Sequence, residues 1–174
     1  MSVEWKQEIK LSEDLRRMVV ACGDKTGLGA AIAREMDKQN EFTVTAIRGK
    51  LAGTLLRRRT GHLANSIEQT DALVVTDAQG GEVRSSVGSG VRYGKPLPYA
   101  APLEFGSKPH LIRAKNAPVL RFIGKDGNWV SKKEVHHPGN KEYSYIRGTV
   151  EERLALYSKG VGGAAFTFLT GGDN

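Results

Sequence analysis

The apolar positions of this chain change their period along its length. Between residues 12 and 56 they fall at helical spacing. Leu15, Met18 and Val19 share one face, Leu28, Ile32 and Met36 follow four apart, and Phe42, Ala46, Ile47, Leu51 and Leu55 lie on one side. Ser12-Glu13-Asp14 offers a cap and first-turn acids for a helix over 12–22, which Gly23 ends. Two further helices are expected over 28–39 and 42–56, the second weakened by Gly49 and Gly53 at roughly 1 kcal/mol each. Thr60-Gly61 then reads as the start of a short helix, with Thr60 as its N-cap and Leu63 and Ile67 four apart behind it.

After residue 71 the period falls to two. The runs 73–76 and 82–87 flank the turn-rich Asp77-Ala78-Gln79-Gly80-Gly81, which predicts a hairpin. A second hairpin is expected from 119–123 and 129–135, joined across Asp126-Gly127, with Leu120 and Phe122 on one face and Trp129 and Val135 on one face of the partner strand. Residues 88–98, with three glycines, Pro96 and Pro98, predict a long exposed loop. In Tyr99–Gly106, Pro102 suits the first turn of a short helix and Gly106 its stop. Pro138-Gly139 suits the centre of a type II turn closing the second hairpin. A last helix is expected over 140–158, with Tyr145, Val150, Leu154 and Tyr157 inward. Beyond it Gly160, Gly162, Gly163, Gly171 and Gly172 suggest a mobile tail.

These elements define an α+β fold. A helical N-terminal third leads into a roughly four-stranded antiparallel sheet of two hairpins, with a C-terminal helix packed on it. The expected organisation is a single domain over 1–158, comprising a helical extension at 1–41 and a core at 42–158, followed by a glycine-rich tail at 159–174. A length of 174 residues suits one domain with a real core. The lone Cys22 excludes an internal disulfide framework, and no apolar run approaches the roughly 18 residues of a membrane span. The amino terminus lacks a signal-peptide core, so synthesis in the cytoplasm is expected.

Charge adds an asymmetry. The chain carries +7 overall, and residues 88–141 alone hold ten Lys or Arg against three acids. Such a field draws polyanions or an acidic protein partner without conferring specificity. Arg57-Arg58-Arg59 is the densest basic run, suited both to a helix C-terminus and to a contact with a polyanion or acidic subunit.

Candidate chemistry is sparse. Gly23-Asp24-Lys25-Thr26-Gly27-Leu28-Gly29 lacks the order of a phosphate loop and the third glycine of a dinucleotide fingerprint. Lys25-Thr26-Gly27 is not accompanied by the Ser-x-x-Lys that a serine acyl enzyme requires. His136 and His137 are adjacent and would face opposite sides of a strand, with neither acid nor cysteine at ligand spacing. Glu104 has no partner acid or base for catalysis and reads as a salt bridge or subunit contact. No catalytic, cofactor-binding or metal-binding residue is assigned, and the chain is not expected to be an enzyme.

Three segments taken in order carry a resemblance. Arg59, Thr60, Gly61, Leu63, Ser66 and Ile67 form an Arg-Thr-Gly-x-Leu-x-x-Ser-Ile motif. Tyr99, Ala100, Leu103, Glu104, Phe105 and Gly106 form Tyr-Ala-x-x-Leu-Glu-Phe-Gly, and His137-Pro138-Gly139 follows. The pattern, spread over residues 42–158, resembles the tail-completion or head–tail joining family of long-tailed double-stranded DNA bacteriophages, also called virion morphogenesis proteins. The resemblance implies a small α+β protomer of the virion neck, present in the host cytoplasm before assembly. It would form a ring homo-oligomer, with a hexamer expected, beside head-closure or adaptor, tail-terminator and tail-tube proteins. Non-specific contact with double-stranded DNA in the channel is a further possibility, and no membrane is involved. On that reading the interface elements are Arg57, Arg58 and Arg59, the loop residues Arg92, Tyr93 and Lys95, Glu104, and the tail beyond Gly160. Thr60, Gly61, Gly106, Pro138 and Gly139 are structural turns or caps. The alternatives are a tail-terminator protein of the same neck and a small non-specific DNA-binding protein that uses residues 88–141.

Overall fold

The computed structural model describes residues 4–9, 25–55, 60–77, 80–92, 94, 96–124 and 126–171. The helix expected over 12–22 lies outside the described residues. The fold is α+β, with a long helix near the N-terminal end, antiparallel strands, and a long C-terminal helix.

Strand β1 (Glu4–Ile9) precedes helix α1 (Lys25–Gly49), whose last turn passes into a π-helical segment, Lys50–Thr54. A short helix α2 (His62–Ser66) leads into β2 (Ile67–Gln69), followed by β3 (Leu73–Asp77) and β4 (Gly80–Ser89). Helix α3 (Ala100–Phe105) comes next, then β5 (His110–Arg113), β6 (Leu120–Ile123), β7 (Trp129–Lys132) and β8 (Glu134–His137). Helix α4 (Arg147–Thr170) closes the described chain.

The main sheet is organised by β4. On one edge it pairs antiparallel with β1, from Glu4↔Gly88 to Ile9↔Val83. On the other it pairs first with β2, from Ile67↔Ser89 to Gln69↔Val87, and then with β3, from Leu73↔Arg84 to Asp77↔Gly80. Thr70 bridges the two shorter strands. Its N–H donates to the Ser86 carbonyl at 2.9 Å and its hydroxyl accepts from the Ser86 N–H at 2.9 Å. The hairpin expected around Asp77–Gly81 is therefore the β3–β4 pair. β1 corrects the expectation of a wholly helical front third. A ten-residue β4 has two edges of unpaired backbone groups, and the extended Glu4–Ile9 segment covers one of them.

Helix α1 corrects a second expectation, because it runs unbroken where two helices, 28–39 and 42–56, were predicted. Asn40 and Thr43, at the expected break, are both buried and bonded. The Asn40 amide donates to Ser85 Oγ at 2.7 Å, and the Thr43 hydroxyl donates to the Gln39 carbonyl at 2.8 Å. The bond to the sheet from the Asn40 amide and the bond to the preceding turn from Thr43 allow the helix to continue, while Asn40 Oδ1 has no partner among the described residues. Disruption comes later, where the Leu55 N–H reaches back to the Lys50 carbonyl at 2.9 Å and Gly53 adopts a φ of 143°. Gly53 is thus the effective breaker, and a wider turn precedes it.

Two clusters make the core. Leu28, Ile32, Met36, Val83, Tyr157 and Val161 fill one, and the expected stripe of Leu28, Ile32 and Met36 is inside it. Ile47, Leu51, Ile67, Val87, Tyr145 and Ile146 fill the other. Helix α4 packs along α1 and extends to Thr170, so the glycine-rich segment expected to be a mobile tail is helical over 159–170. Three helical glycines, Gly160, Gly162 and Gly163, cost roughly 3 kcal/mol together. Burial of Tyr157 and Val161 against α1 contributes roughly 1.5–3 kcal/mol for each side chain, so packing overrides propensity. Leu154, expected inward, is 56% exposed although it lies between Val150 and Tyr157 on the buried stripe, so the body leaves that part of the stripe uncovered.

The second hairpin does not join the main sheet. β6 and β7 pair from Leu120↔Lys132 to Ile123↔Trp129, while β8 separates from β7 and pairs with β5 from His110↔His137 to Arg113↔Glu134. The two ribbons are nested in sequence and linked by the Ala114 N–H, which donates to the Lys133 carbonyl at 3.4 Å. They make only marginal contact with the other strands and helices. Residues 107–140 form a β-arm standing on the α/β body.

Candidate functional site: a capped helix and a basic arm

The short helix α3 positions the most consequential side chain of the second motif. Glu104 is 1% exposed, and its carboxylate faces the start of α4. Oε2 accepts from the Ile146 N–H at 2.8 Å and Oε1 from the Arg147 N–H at 2.9 Å. These amides belong to the first turn, where backbone N–H groups have no partner within the helix and the helix dipole is positive. Glu104 is therefore a capping group supplied from another element. The residue is internal, where a subunit contact or salt bridge was expected, and no ion pair holds it among the described residues; Arg147 directs its guanidinium to Glu142 and Ser144.

The remainder of the motif supports this clasp. The Tyr145 hydroxyl donates to the Ala100 carbonyl at 3.1 Å, with both residues fully buried. Burial, reinforced by the nearby Glu104 charge, pushes the Tyr145 hydroxyl well above its ordinary value. Backbone bonds from Tyr143 to Leu103 at 3.0 Å and from Ser144 to Glu104 at 3.1 Å tie the same two stretches together. Gly106 ends α3 with φ 75°, against the backbone of Asn140 and Glu142.

The first motif behaves likewise. Gly61, at φ 79°, holds the N-cap position of α2. Thr60 lies one residue earlier, its hydroxyl 3.5 Å from the His62 N–H, which corrects the expected cap. Ser66 donates to the Leu63 carbonyl at 2.7 Å and lies 2.9 Å from the Ser89 hydroxyl. Ser89 also accepts from the Leu97 N–H at 3.2 Å, and the Gly90 N–H donates to the Ser66 carbonyl at 2.8 Å. Residues 88–98 are thus anchored at both ends on this motif, with Ser89 and Gly90 buried, where an exposed loop was expected. Arg92 is half-exposed and meets Asp71 at 2.9 Å. Arg57, Arg58, Arg59, Tyr93 and Lys95 lie outside the described residues.

The third motif forms the root of the arm. Ser107 and Asn140 pair through reciprocal backbone bonds of 2.9 and 3.1 Å. Gly139 sits beneath them at φ 86°, and a Cβ there would lie 2.1 Å from the Ser107 carbonyl oxygen, so only glycine fits. The Gly139 N–H donates to His137 Nδ1 at 3.0 Å, which places the ring proton on Nε2. The His137 ring lies 5.0 Å from that of His110, tilted by 32°. Pro138 and Gly139 follow β8 and close the arm, at the place where a type II turn ending the second hairpin was expected. Among the described residues, no group of three or more His, Cys, Asp or Glu is placed to hold a metal ion.

Sequence reasoning placed Trp129 and Phe122 in a sheet and missed their exposure on the arm. Trp129 is 67% exposed and Ile123 62%. The cross-strand register sets these two side by side, and the Arg121 guanidinium lies 5.5 Å from the Trp129 ring. The available signal was the density of bases around them, Lys115, Arg121, Lys132 and Lys133, which is unusual for a buried strand pair.

Comparison of the chain with protein-family models, with curated proteins and with solved structures finds no match to any of them.

Proposed function

We propose that this chain is a structural protein of a tailed-bacteriophage neck, assembling into a ring, with a hexamer expected, that joins the DNA-filled head to the tail. The observation that carries the reading is the composition of α4. Tyr157, Val161 and Ala165 face α1, yet Leu156 and Phe166 lie on other sides of the helix and are 57 and 68% exposed, and Leu154, which shares the side of Val150 and Tyr157, is still 56% exposed. Large apolar side chains left open at three places along one helix, among exposed polar residues, mark a surface that a partner covers. Phe42, half-exposed on the adjacent α1, extends the uncovered surface. The sequence resemblance supplies the kind of assembly, and a ring of identical protomers would cover such surfaces through one repeated contact.

Light scattering of the purified protein, alone and mixed with isolated phage tails, tests this reading. A ring-sized species, or a monomer that adds to tails, supports it. A protein that remains monomeric and ignores tails overturns it. Phe166→Ser, on the exposed side of α4, is expected to reduce assembly and leave the helix folded.

A further inference from the structure

We propose that the β-arm, residues 107–140, is a binding element for double-stranded DNA that engages the duplex through its phosphates without reading sequence. The arm carries Lys108, Lys115, Arg121, Lys132 and Lys133, all exposed and none within salt-bridge distance of a carboxylate among the described residues. Its two acids are already engaged. Glu134 meets Arg113 at 3.2 Å, and the Asp126 carboxylate accepts from the side chain and backbone of Asn128 at 3.0 and 3.2 Å. What remains is a cationic ribbon held away from the body.

Geometry narrows the partner. The register puts Arg121, Ile123 and Trp129 on one face of the β6–β7 ribbon, with Phe122 and Lys132 on the other. A major groove about 12 Å wide admits a two-stranded ribbon, and the phosphate backbones along its two rims lie within reach of long cationic side chains from either face. Bases on both faces suit that setting and do not suit a flat protein contact, from whose buried centre lysine is depleted. Exposed Ile123 and Trp129 lie beside Arg121, where an apolar pair can pack on the sugars of the groove wall, which carry no sequence information. This inference is independent of the ring: a monomer could use the arm equally well.

The test is fluorescence anisotropy of the full chain with a labelled mixed-sequence duplex of about 30 base pairs, titrated between about 50 and 200 mM salt. Five phosphate contacts give a log–log slope of about −4.5, or about 500-fold weaker binding across that range. The triple variant Lys115→Gln/Lys132→Gln/Lys133→Gln leaves two contacts, for which the slope is about −2 and the loss about tenfold. These side chains are exposed, so an unchanged circular dichroism spectrum confirms that the variant is folded. Arg34→Gln/Lys159→Gln, on the exposed sides of α1 and α4, is expected to leave the slope as it was. Absence of binding at about 50 mM salt, or equal effects of the arm and control variants, overturns the proposal. So does a triple variant that binds the duplex normally and instead loses self-association by light scattering, because the arm is then a subunit contact.

Discussion

Replacing Glu104 separates the clasp from every surface explanation of its motif. In Glu104→Ala, the Ile146 and Arg147 amides lose acceptors now at 2.8 and 2.9 Å, at a site that is 1% exposed. Each unsatisfied buried donor costs about 1–3 kcal/mol, and the loss of negative charge at a helix N-terminus adds up to about 2 kcal/mol in a buried setting. A total of about 2–8 kcal/mol follows, a large part of the roughly 5–15 kcal/mol that holds a domain together. Glu104→Gln is the sharper variant. Its amide oxygen can still accept one N–H, but its NH2 group is set against the other, so about 2 kcal/mol is lost without a cavity. Urea denaturation measures this directly: with a slope near 2 kcal/mol per molar, the midpoint should fall by about 1 M. A midpoint that moves by less than about 0.2 M would refute the capping role. If the same variant left stability intact and changed the mass of the assembly, Glu104 would be a subunit contact after all.

Gly139→Ala should be the most damaging single methyl group at the root of the arm, because its Cβ would lie 2.1 Å from the Ser107 carbonyl oxygen at φ 86°. A loss of about 2–4 kcal/mol is expected, read as a fall in Tm of about 5–15 °C; a fall under about 2 °C would contradict the close approach. Tyr157→Phe should change stability by less than about 0.5 kcal/mol or raise it, since the buried hydroxyl has no hydrogen-bond partner among the described residues, its nearest candidate being the Ser85 side chain. A loss above about 1.5 kcal/mol by the same urea assay would reveal a bond. Alkali should destabilise the protein through its buried tyrosines. Burial pushes the Tyr157 hydroxyl up to about 12, and Tyr145 is raised as well. Between about pH 10 and 12 the folded form then holds more protons than the unfolded one, so stability falls with rising pH, by about 2–3 kcal/mol for Tyr157. Tyrosinate absorbance should show late-titrating groups, and a native-state titration with every tyrosine near the ordinary value would refute this.

The regularly spaced parts of the fold were legible in the sequence. Leu28, Ile32 and Met36 repeat every four residues, and all are buried on α1. The β3–β4 hairpin lies where turn residues separate two alternating runs. Long-range pairing was not legible. β1 forms because an already built β4 offers an edge six residues long, which nothing local to Glu4–Ile9 encodes. The helix through Gly160, Gly162 and Gly163 exists because α1 lies beside it, and its glycines argue against it locally. Glu104 was misplaced for the same reason. A lone carboxylate in a basic stretch suggests a surface ion pair, and only the position of α4, forty-two residues later, makes it a cap.

The placement of the three motifs bears on where function can reside. Each joins elements distant in sequence: the first anchors the 88–98 loop through Ser66 and Ser89, the second clasps α3 to the start of α4 through Glu104, and the third fixes the root of the arm through Gly139. Among the described residues, Ser66, Glu104 and Gly139 are spent on internal contacts, which specify a scaffold and not a partner. The parts left uncovered are the outer sides of α4 and the arm, and the motifs converge on the bases of both. A protein built in this way can keep its scaffold while its α4 surface and arm are refitted to different neighbours. Substitutions should accordingly divide: those in the motifs lower stability and leave the outer surfaces chemically unchanged, whereas Phe166→Ser or the triple lysine variant should alter what the protein assembles with or binds at unchanged stability. A motif variant that kept full stability and lost assembly would break that division.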